Sequence, residues 1–330
     1  MNVYCAVLVQ QDSSKRTFYE QIMLNLNDLP ANDVLIKVNY TALNYNDALI
    51  LSGKDDGISY PVVPGIDASG IIVSSKVAHF NEGDEVFVTG LNLSSKCPGG
   101  FGGYISAPAD LVLPIPIGYD LKSCMTLGSA SITAGIGSMN LTNTGLTPNE
   151  HKLAVTNASC DLGAVTAAIL AVQGYNVTAY VYEPNDKDYV LKLGVSNVLP
   201  MSQLENLKNK TLEPPLYDGA FDTVGGNSLS TMLKLMNPNS TVIVAGERDD
   251  MTLYTSLMPF LHRGLNLIGI NALSCSPKIK RTVWQKLSSD WRIPQAAWLC
   301  TEISFEELAN YVPLLLQGKV KGRLVINHSL

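Results

Sequence analysis

The sequence predicts an α/β chain of two domains, in which an all-β domain is interrupted by a doubly wound parallel sheet. Residues 1 to about 125 are a series of short strand-like runs parted by Gly-, Pro- and Asn-rich turns, the pattern of a barrel or sandwich. From about Cys124 strand-like and helix-like runs alternate, which argues parallel strands joined by helical crossovers. A last strand-like run, 322–327, follows two amphipathic stretches and returns the chain to its first domain. Length agrees, since 330 residues exceed what one hydrophobic core usually organises. The expected division is 1–123 with 275–330 for the first domain and 124–274 for the second.

In the first domain the strand-like runs are 3–9, 33–40, 70–74, 85–88, 103–106 and 111–114. Between them, 42–50 reads as a loop entering a short helix, and Pro61 to Asp67 as a rigid turn feeding a strand. The glycine-rich run 99–103 offers either a mobile edge to a cleft or a plain turn. In the second domain strands are expected at 152–156, 177–182, 197–200, 217–222, 241–245 and 265–271. Helices are expected at 187–193 and 228–236, and after the domain at 280–289 and 305–317.

The stretch from His151 to Glu183 is the most informative. A buried strand is followed by Asn157-Ala158-Ser159-Cys160-Asp161-Leu162-Gly163, then an Ala-rich helix ending at Gly174, then a second strand and an acid, Glu183, 20 positions beyond Gly163. Strand, tight turn, helix, strand and acid at that distance make a Rossmann dinucleotide-binding unit. Its glycines have separate tasks: the tight bend, backbone contact with the pyrophosphate, and close packing of helix on strand. Here those positions hold Asn157, Cys160 and Gly163. Asn tolerates a positive φ, whereas Cys160 brings a Cβ and sulfur to where phosphate oxygens sit. Asp161 sets a carboxylate against the helix N-terminus that should face the pyrophosphate. A binding unit and a well-packed unit that has lost tight binding both remain open.

Composition removes other classes. A hydrophobic content of 46% with 16% charged residues is that of an ordinary globular chain. The net charge of -6 argues against a nucleic-acid partner. No apolar run approaches the ~20 residues that cross a bilayer, and the N-terminus carries no export signal, so a cytoplasmic, non-membrane protein is expected. Six scattered cysteines without a Cys-x-x-Cys pair, and four dispersed histidines, fit reduced thiols and give no metal cluster.

Seven stretches together carry a resemblance: Leu43 to Leu49, Pro64 to Gly70, Val86 to Gly90, Gly99 to Gly103, Phe221 to Gly225, Met258 to Leu261 and Gly322 to Val325. Spread in order along nearly the whole chain, they resemble the zinc-free medium-chain dehydrogenase/reductases, in the acrylyl-CoA reductase and quinone oxidoreductase-like branch. The resemblance implies a GroES-like β-barrel with a Rossmann domain, a homodimer through the last Rossmann strand, and NADP(H)-dependent reduction of an activated, acrylyl-CoA-like double bond. The turn Gly65-Ile66-Asp67 lacks the histidine and cysteines of zinc-dependent relatives, in agreement with a metal-free site.

The resemblance also assigns roles. Asn44, Tyr45, Asp47, Asp67 and Arg323 match polar positions of the family's catalytic cleft. Tyr45 is placed to contact the nicotinamide or donate a proton; its alternative is an aromatic capping a turn. Asp47 is alternatively the N-cap of a turn at 48–51, and Asp67 with Arg323 alternatively a structural ion pair. For the cofactor the candidates are Tyr45, Ser159, Cys160, Asp161, Leu162, Gly163, Val181, Tyr182, Glu183, Asp222, Gly246, Gly269 and Asn271. Relatives hold the 2′-phosphate of NADPH with a Ser and an Arg where this chain has Val181 and Glu183. Glu183 repels that phosphate and suits a free ribose diol, which favours NAD(H) over the family norm. The substrate is expected to be a small molecule, an acyl-CoA thioester or a quinone. A quinone reductase and a non-catalytic descendant are the competing functions.

Overall fold

The computed structural model describes residues 2–94, 96–207, 210–246, 251–294 and 296–330. The chain divides into two compact units, Met1–Ser129 with Ser276–Arg281 and Gln295–Leu330, and Ala130–Cys275 with Thr282–Pro294.

The chain opens with an antiparallel hairpin, β1 (Val3–Gln11) and β2 (Thr17–Asn25). Then come β3 (Val34–Leu43), α1 (Tyr45–Leu51), β4 (Ala68–Ser75), β5 (Glu85–Val88), β6 (Tyr104–Ala107) and β7 (Leu113–Pro114). A 23-residue helix, α2 (Leu121–Asn143), follows, bent at Gly128. Next are β8 (Lys152–Val155), α3 (Asp161–Val172), β9 (Asn176–Val181), α4 (Lys187–Leu191), β10 (Asn197–Pro200) and α5 (Ser202–Glu205). They are succeeded by β11 (Tyr217–Asp222), α6 (Gly226–Lys234), β12 (Met236–Val244), α7 (Met258–Arg263) and β13 (Asn266–Gly269). The chain ends with α8 (Pro277–Leu287), β14 (Cys300–Ile303), α9 (Leu308–Leu316) and β15 (Arg323–Asn327).

In the first unit seven strands form one sheet, ordered β14-β15-β3-β4-β5-β7 with β6 also paired to β3. The run that closes the chain becomes β15, lying antiparallel to β3 with Leu324 opposite Leu43. That register sets Arg323, 279 residues away in sequence, beside Asn44. Two apolar clusters fill the unit. One is built around Val9, Leu43, Phe101, Leu324 and Ile326, the other around Ile36, Ile72, Val86 and Ile105. The glycine-rich run 99–103 is a hydrogen-bonded turn. The N–H groups of Gly99, Gly100 and Phe101 donate to Val63, Gly65 and Pro64 carbonyls, and Phe101 is wholly buried. It backs the 61–67 turn.

In the second unit six parallel strands are ordered β10-β9-β8-β11-β12-β13. Numbered from β8 this is the 3-2-1-4-5-6 order of doubly wound sheets, which bind ligands beyond the carboxyl ends of the two strands where the order reverses. Those strands are β8 and β11. α3 is buried almost throughout because Ala and small apolar residues occupy every side of it, and it stops before Gly174 at φ 87°. α7 begins with a proline in its first turn and ends on Gly264, whose left-handed backbone closes the helix onto Phe260. Among the described residues no helix is long and apolar enough to cross a membrane. The six cysteines are free thiols.

Candidate functional site

Four of the five predicted catalytic residues meet in the first unit as one buried polar cluster. Asn44, which follows β3, is the N-cap of α1; Tyr45 is its first helical residue and Asp47 its third. Asp47 is therefore not the N-cap of a turn at 48–51. Its position lets Oδ2 reach back to accept the Asn44 backbone N–H at 3.0 Å and the Asn44 side-chain amide at 3.1 Å. Oδ1 accepts from the N–H groups of Gly65 and Ile66 at 2.9 and 3.2 Å. One carboxylate thus ties α1 to the 61–67 turn. Burial drives its pKa up to about 6, against the pull of these hydrogen bonds, with the like charge of Asp67 adding to the rise.

Asp67 lies at the end of that turn, fully buried. Its Oδ1 accepts the Gly90 N–H at 3.1 Å, and its Oδ2 accepts from the Ser129 N–H and hydroxyl at 2.8 and 3.0 Å and from the Asn44 amide at 3.2 Å. The Arg323 guanidinium stands 3.9 Å from Oδ2 and is 1% exposed. It donates through Nη2 to Asn44 Oδ1 at 2.9 Å and through Nε to the Thr126 carbonyl at 3.2 Å. α2 bends here. Gly128 has φ 45° and ψ −149°, and a Cβ on it would lie 2.5 Å from Asp67 Oδ2 and 2.9 Å from Arg323 Nη2. Only glycine gives the ion pair that space at that backbone angle.

Each polar atom named in this cluster is engaged by another protein group, as buried charges require. Tyr45 differs from the other four in being half-buried rather than buried. Gly128 and Ser129 were not legible as members. A single glycine or serine in an apolar run carries no local signal, and their role comes from the fold of β4 and β15 around them.

The second unit places the cofactor candidates around the carboxyl ends of β8 and β11. Asn157 takes φ 50°, as the first glycine slot demands. Gly163 keeps the third, since a Cβ there would lie 2.2 Å from the Asn157 carbonyl oxygen. Cys160 is the N-cap of α3, and Asp161 opens the helix at φ 35°, a left-handed angle in a residue with a side chain. Ser159 and Cys160 are buried, their Oγ and Sγ 3.7 Å apart, so the sulfur packs within the turn instead of standing out of it. Asn157 is itself buried, and its Oδ1 has no hydrogen-bond partner. Leu162 is half-buried in the first turn of α3.

Asp222 ends β11 with both carboxylate oxygens committed. Oδ1 accepts the Thr156 hydroxyl at 2.9 Å, and Oδ2 accepts the Val224 and Gly225 N–H groups at 3.2 and 2.6 Å. Desolvation pushes its pKa up to about 6. Thr156 in turn accepts from Thr223 N–H at 2.9 Å, so the ends of β8 and β11 are laced together. Gly246 lies against the Thr223 carbonyl, where a Cβ would be 2.0 Å away. Val181 is the last residue of β9 and is buried. Tyr182 is half-buried, and Glu183 is exposed as the N-cap of a short 3-10 turn, Pro184–Asp186. Gly269 ends β13 in the open; Asn271 is exposed and its Oδ1 accepts from Ser274. Among the described residues no three His, Cys, Asp or Glu side chains gather so as to hold a metal ion.

One unit with a barrel-type sheet carrying such a cluster, and another with a doubly wound sheet and a phosphate-type turn, define the dehydrogenase/reductase class. Residues 30–117 match the alcohol dehydrogenase GroES-like domain. Over 92% of its length the chain is 34% identical to YhfP of Bacillus subtilis, named as a candidate quinone oxidoreductase, covering 92% of that protein. It is 31% identical to the acrylyl-CoA reductase AcuI of Ruegeria pomeroyi over 98% of this chain and 99% of that one. The solved structure of Escherichia coli YhdH with bound NADPH matches at a TM-score of 0.90 and 31% identity, covering 98% of this chain and 99% of its own. That of YhfP with NAD bound matches at 0.91 and 31%, covering 99% and 100%. The chain belongs to the medium-chain dehydrogenase/reductase family, in the branch of acrylyl-CoA reductases and quinone oxidoreductase-like proteins.

Proposed function

We propose that this protein is a nicotinamide-dependent reductase of an activated α,β-unsaturated double bond, in a thioester of the acrylyl-CoA kind, working without a metal. The observation that carries the reading is Tyr45. It is half-buried at the start of α1, and its helix is fastened through Asn44 and Asp47 to Asp67 and Arg323. The activity named for AcuI and the cofactors bound to YhdH and YhfP support it.

The residues fit a dinucleotide in backbone shape. Asn157 and Asp161 hold left-handed angles where a glycine turn would, Gly163 keeps helix and strand in close contact, and the buried Asn157 Oδ1 has no protein partner. Held there, a dinucleotide would rest its pyrophosphate on the 157–163 turn, its ribose by Glu183, and its nicotinamide near the backbone of residues 222–225, 246 and 269–271. A bound nicotinamide supplies the hydride. Conjugation polarises the acceptor, so the chain's own task is to orient it, hydrogen-bond the carbonyl oxygen as negative charge develops, and return a proton. The Tyr45 phenol, both donor and acceptor, is the group for those last two tasks. Asn44, Asp47, Asp67 and Arg323 fix its helix as positioning residues. Glu183 favours NADH over NADPH by charge at the ribose 2′ position. A quinone is the second acceptor to consider, on the strength of YhfP's name. A homodimer through the sheet edge at β13 and a cytoplasmic setting complete the reading.

Tyr45→Phe tests it. Thermal stability should be unchanged while kcat for acrylyl-CoA reduction falls by ~10²–10⁴-fold. An unaltered kcat would remove Tyr45 from the reaction.

A further inference from the structure

Lys280, in the first turn of α8, is 5% exposed. A buried ammonium is costly unless charge nearby offsets it. Among the described residues the only hydrogen bond of its ammonium is to the Thr89 carbonyl oxygen, at 2.6 Å, and it touches no carboxylate directly. That carbonyl belongs to the same peptide group as the Gly90 N–H, which donates to Asp67 Oδ1 at 3.1 Å. One peptide plane therefore has Lys280 at one end and Asp67 at the other. A cation on the carbonyl polarises the peptide and strengthens its N–H as a donor.

The charges of the cluster ask for such a partner. Asp47 and Asp67 bring two carboxylates, and Arg323 one guanidinium. The groups facing Asp47 are the Asn44 side chain, the N–H groups of Asn44, Gly65 and Ile66, and the charge of Asp67. Those facing Asp67 are Asn44, Ser129, Gly90 and Arg323. Among the described residues no cation beyond Arg323 touches either carboxylate directly, and Lys280 is one peptide removed.

We propose that Lys280 is a positioning residue of the Tyr45 site, supplying the second positive charge of the buried cluster through the Thr89–Gly90 peptide. Its importance for turnover rests on the reductase reading; its place in the cluster does not.

The test is carbon-13 NMR of aspartate carboxyls in the ligand-free protein, for wild type, Lys280→Met and Lys280→Arg. Asp222, in the other unit and also pushed up to about 6, is the internal reference. In Lys280→Met the Asp47 midpoint should rise from about 6 by roughly half a pH unit or more, because the like charge of Asp67 is less offset. Asp222 should stay in place, and Lys280→Arg should restore Asp47. An unmoved Asp47 midpoint in folded Lys280→Met, or Asp47 and Asp222 moving together, overturns the proposal. If Lys280→Met does not fold, Lys280→Gln takes its place in the same measurement, and an unmoved Asp47 midpoint there is equally fatal. In active enzyme the Met variant should lose kcat with KM for NADH unchanged. Wild type that turns over no acrylyl-CoA would end the reductase reading and leave the NMR result standing.

Discussion

The cluster around Asp67 and the turn from Asn157 to Gly163 treat buried polar groups in opposite ways. In the first, the carboxylates, the guanidinium and the carboxamide are shut away and engage one another, and a glycine at φ 45° leaves them room. In the second, residues with side chains occupy two left-handed positions, a carboxylate opens the helix, and a buried carboxamide oxygen has no partner. The first is complete within the protein. The second keeps the backbone of a phosphate-binding turn but not its charge complementarity. A chain under no demand for a reactive site would have little reason to maintain the first.

The largest expected effect breaks the complete region. Arg323→Met leaves Asp67 without its ion-pair partner in the core, and urea unfolding should show a loss of about 3–5 kcal/mol; a loss below 1 would mean that the ion pair is not what holds the cluster. Gly128→Ala meets both the backbone angle and the overlap with Asp67 Oδ2, and should cost about 2–3 kcal/mol in the same assay.

Protonation links the two regions. Asp47 and Asp222 are both pushed up to about 6 by desolvation. From about pH 4 to about 6 the native protein thus keeps protons that the unfolded carboxyls have released, so these groups make stability fall as pH rises through that window. The advantage of wild type over Asp222→Asn should accordingly be larger at pH 4 than at pH 7. A constant difference would show that Asp222 titrates normally.

The smallest effect concerns the incomplete region. Asp161→Gly removes the carboxylate from the helix N-terminus and should tighten NADH binding by roughly two- to five-fold by calorimetry, with little change in stability. Weaker binding would mean that Asp161 assists the ligand.

The fold was legible in the sequence where periodicity speaks. The run 85–88 and β9 and β11 of the parallel sheet lie where expected, because buried strands are short apolar runs bounded by turn residues, whereas β12 starts at Met236 in place of the expected 241. β2 escaped notice because its half-exposed, polar TFYEQIMLN reads as a loop until β1 pairs with it. α2 escaped because its glycines suggest a break, whereas they serve contact: a Cβ on Gly137 would lie 2.2 Å from Phe221, and one on Gly135 2.6 Å from Val283. At the site, Asn44, Asp47, Asp67 and Arg323 could be named from motifs. Their mutual geometry could not, because it depends on β15 pairing with β3 across almost the whole chain. Ser129, Gly128 and Lys280 had no local signature at all.

The measurement that tests the reductase reading most directly is titration of the purified protein with NADH and NADPH by calorimetry, followed by acrylyl-CoA as acceptor. Micromolar binding, tighter for NADH, with oxidation of the cofactor when acrylyl-CoA is added, is the expected result. No binding of either at millimolar concentration would contradict it and leave a protein that kept the family's fold and buried cluster without its chemistry.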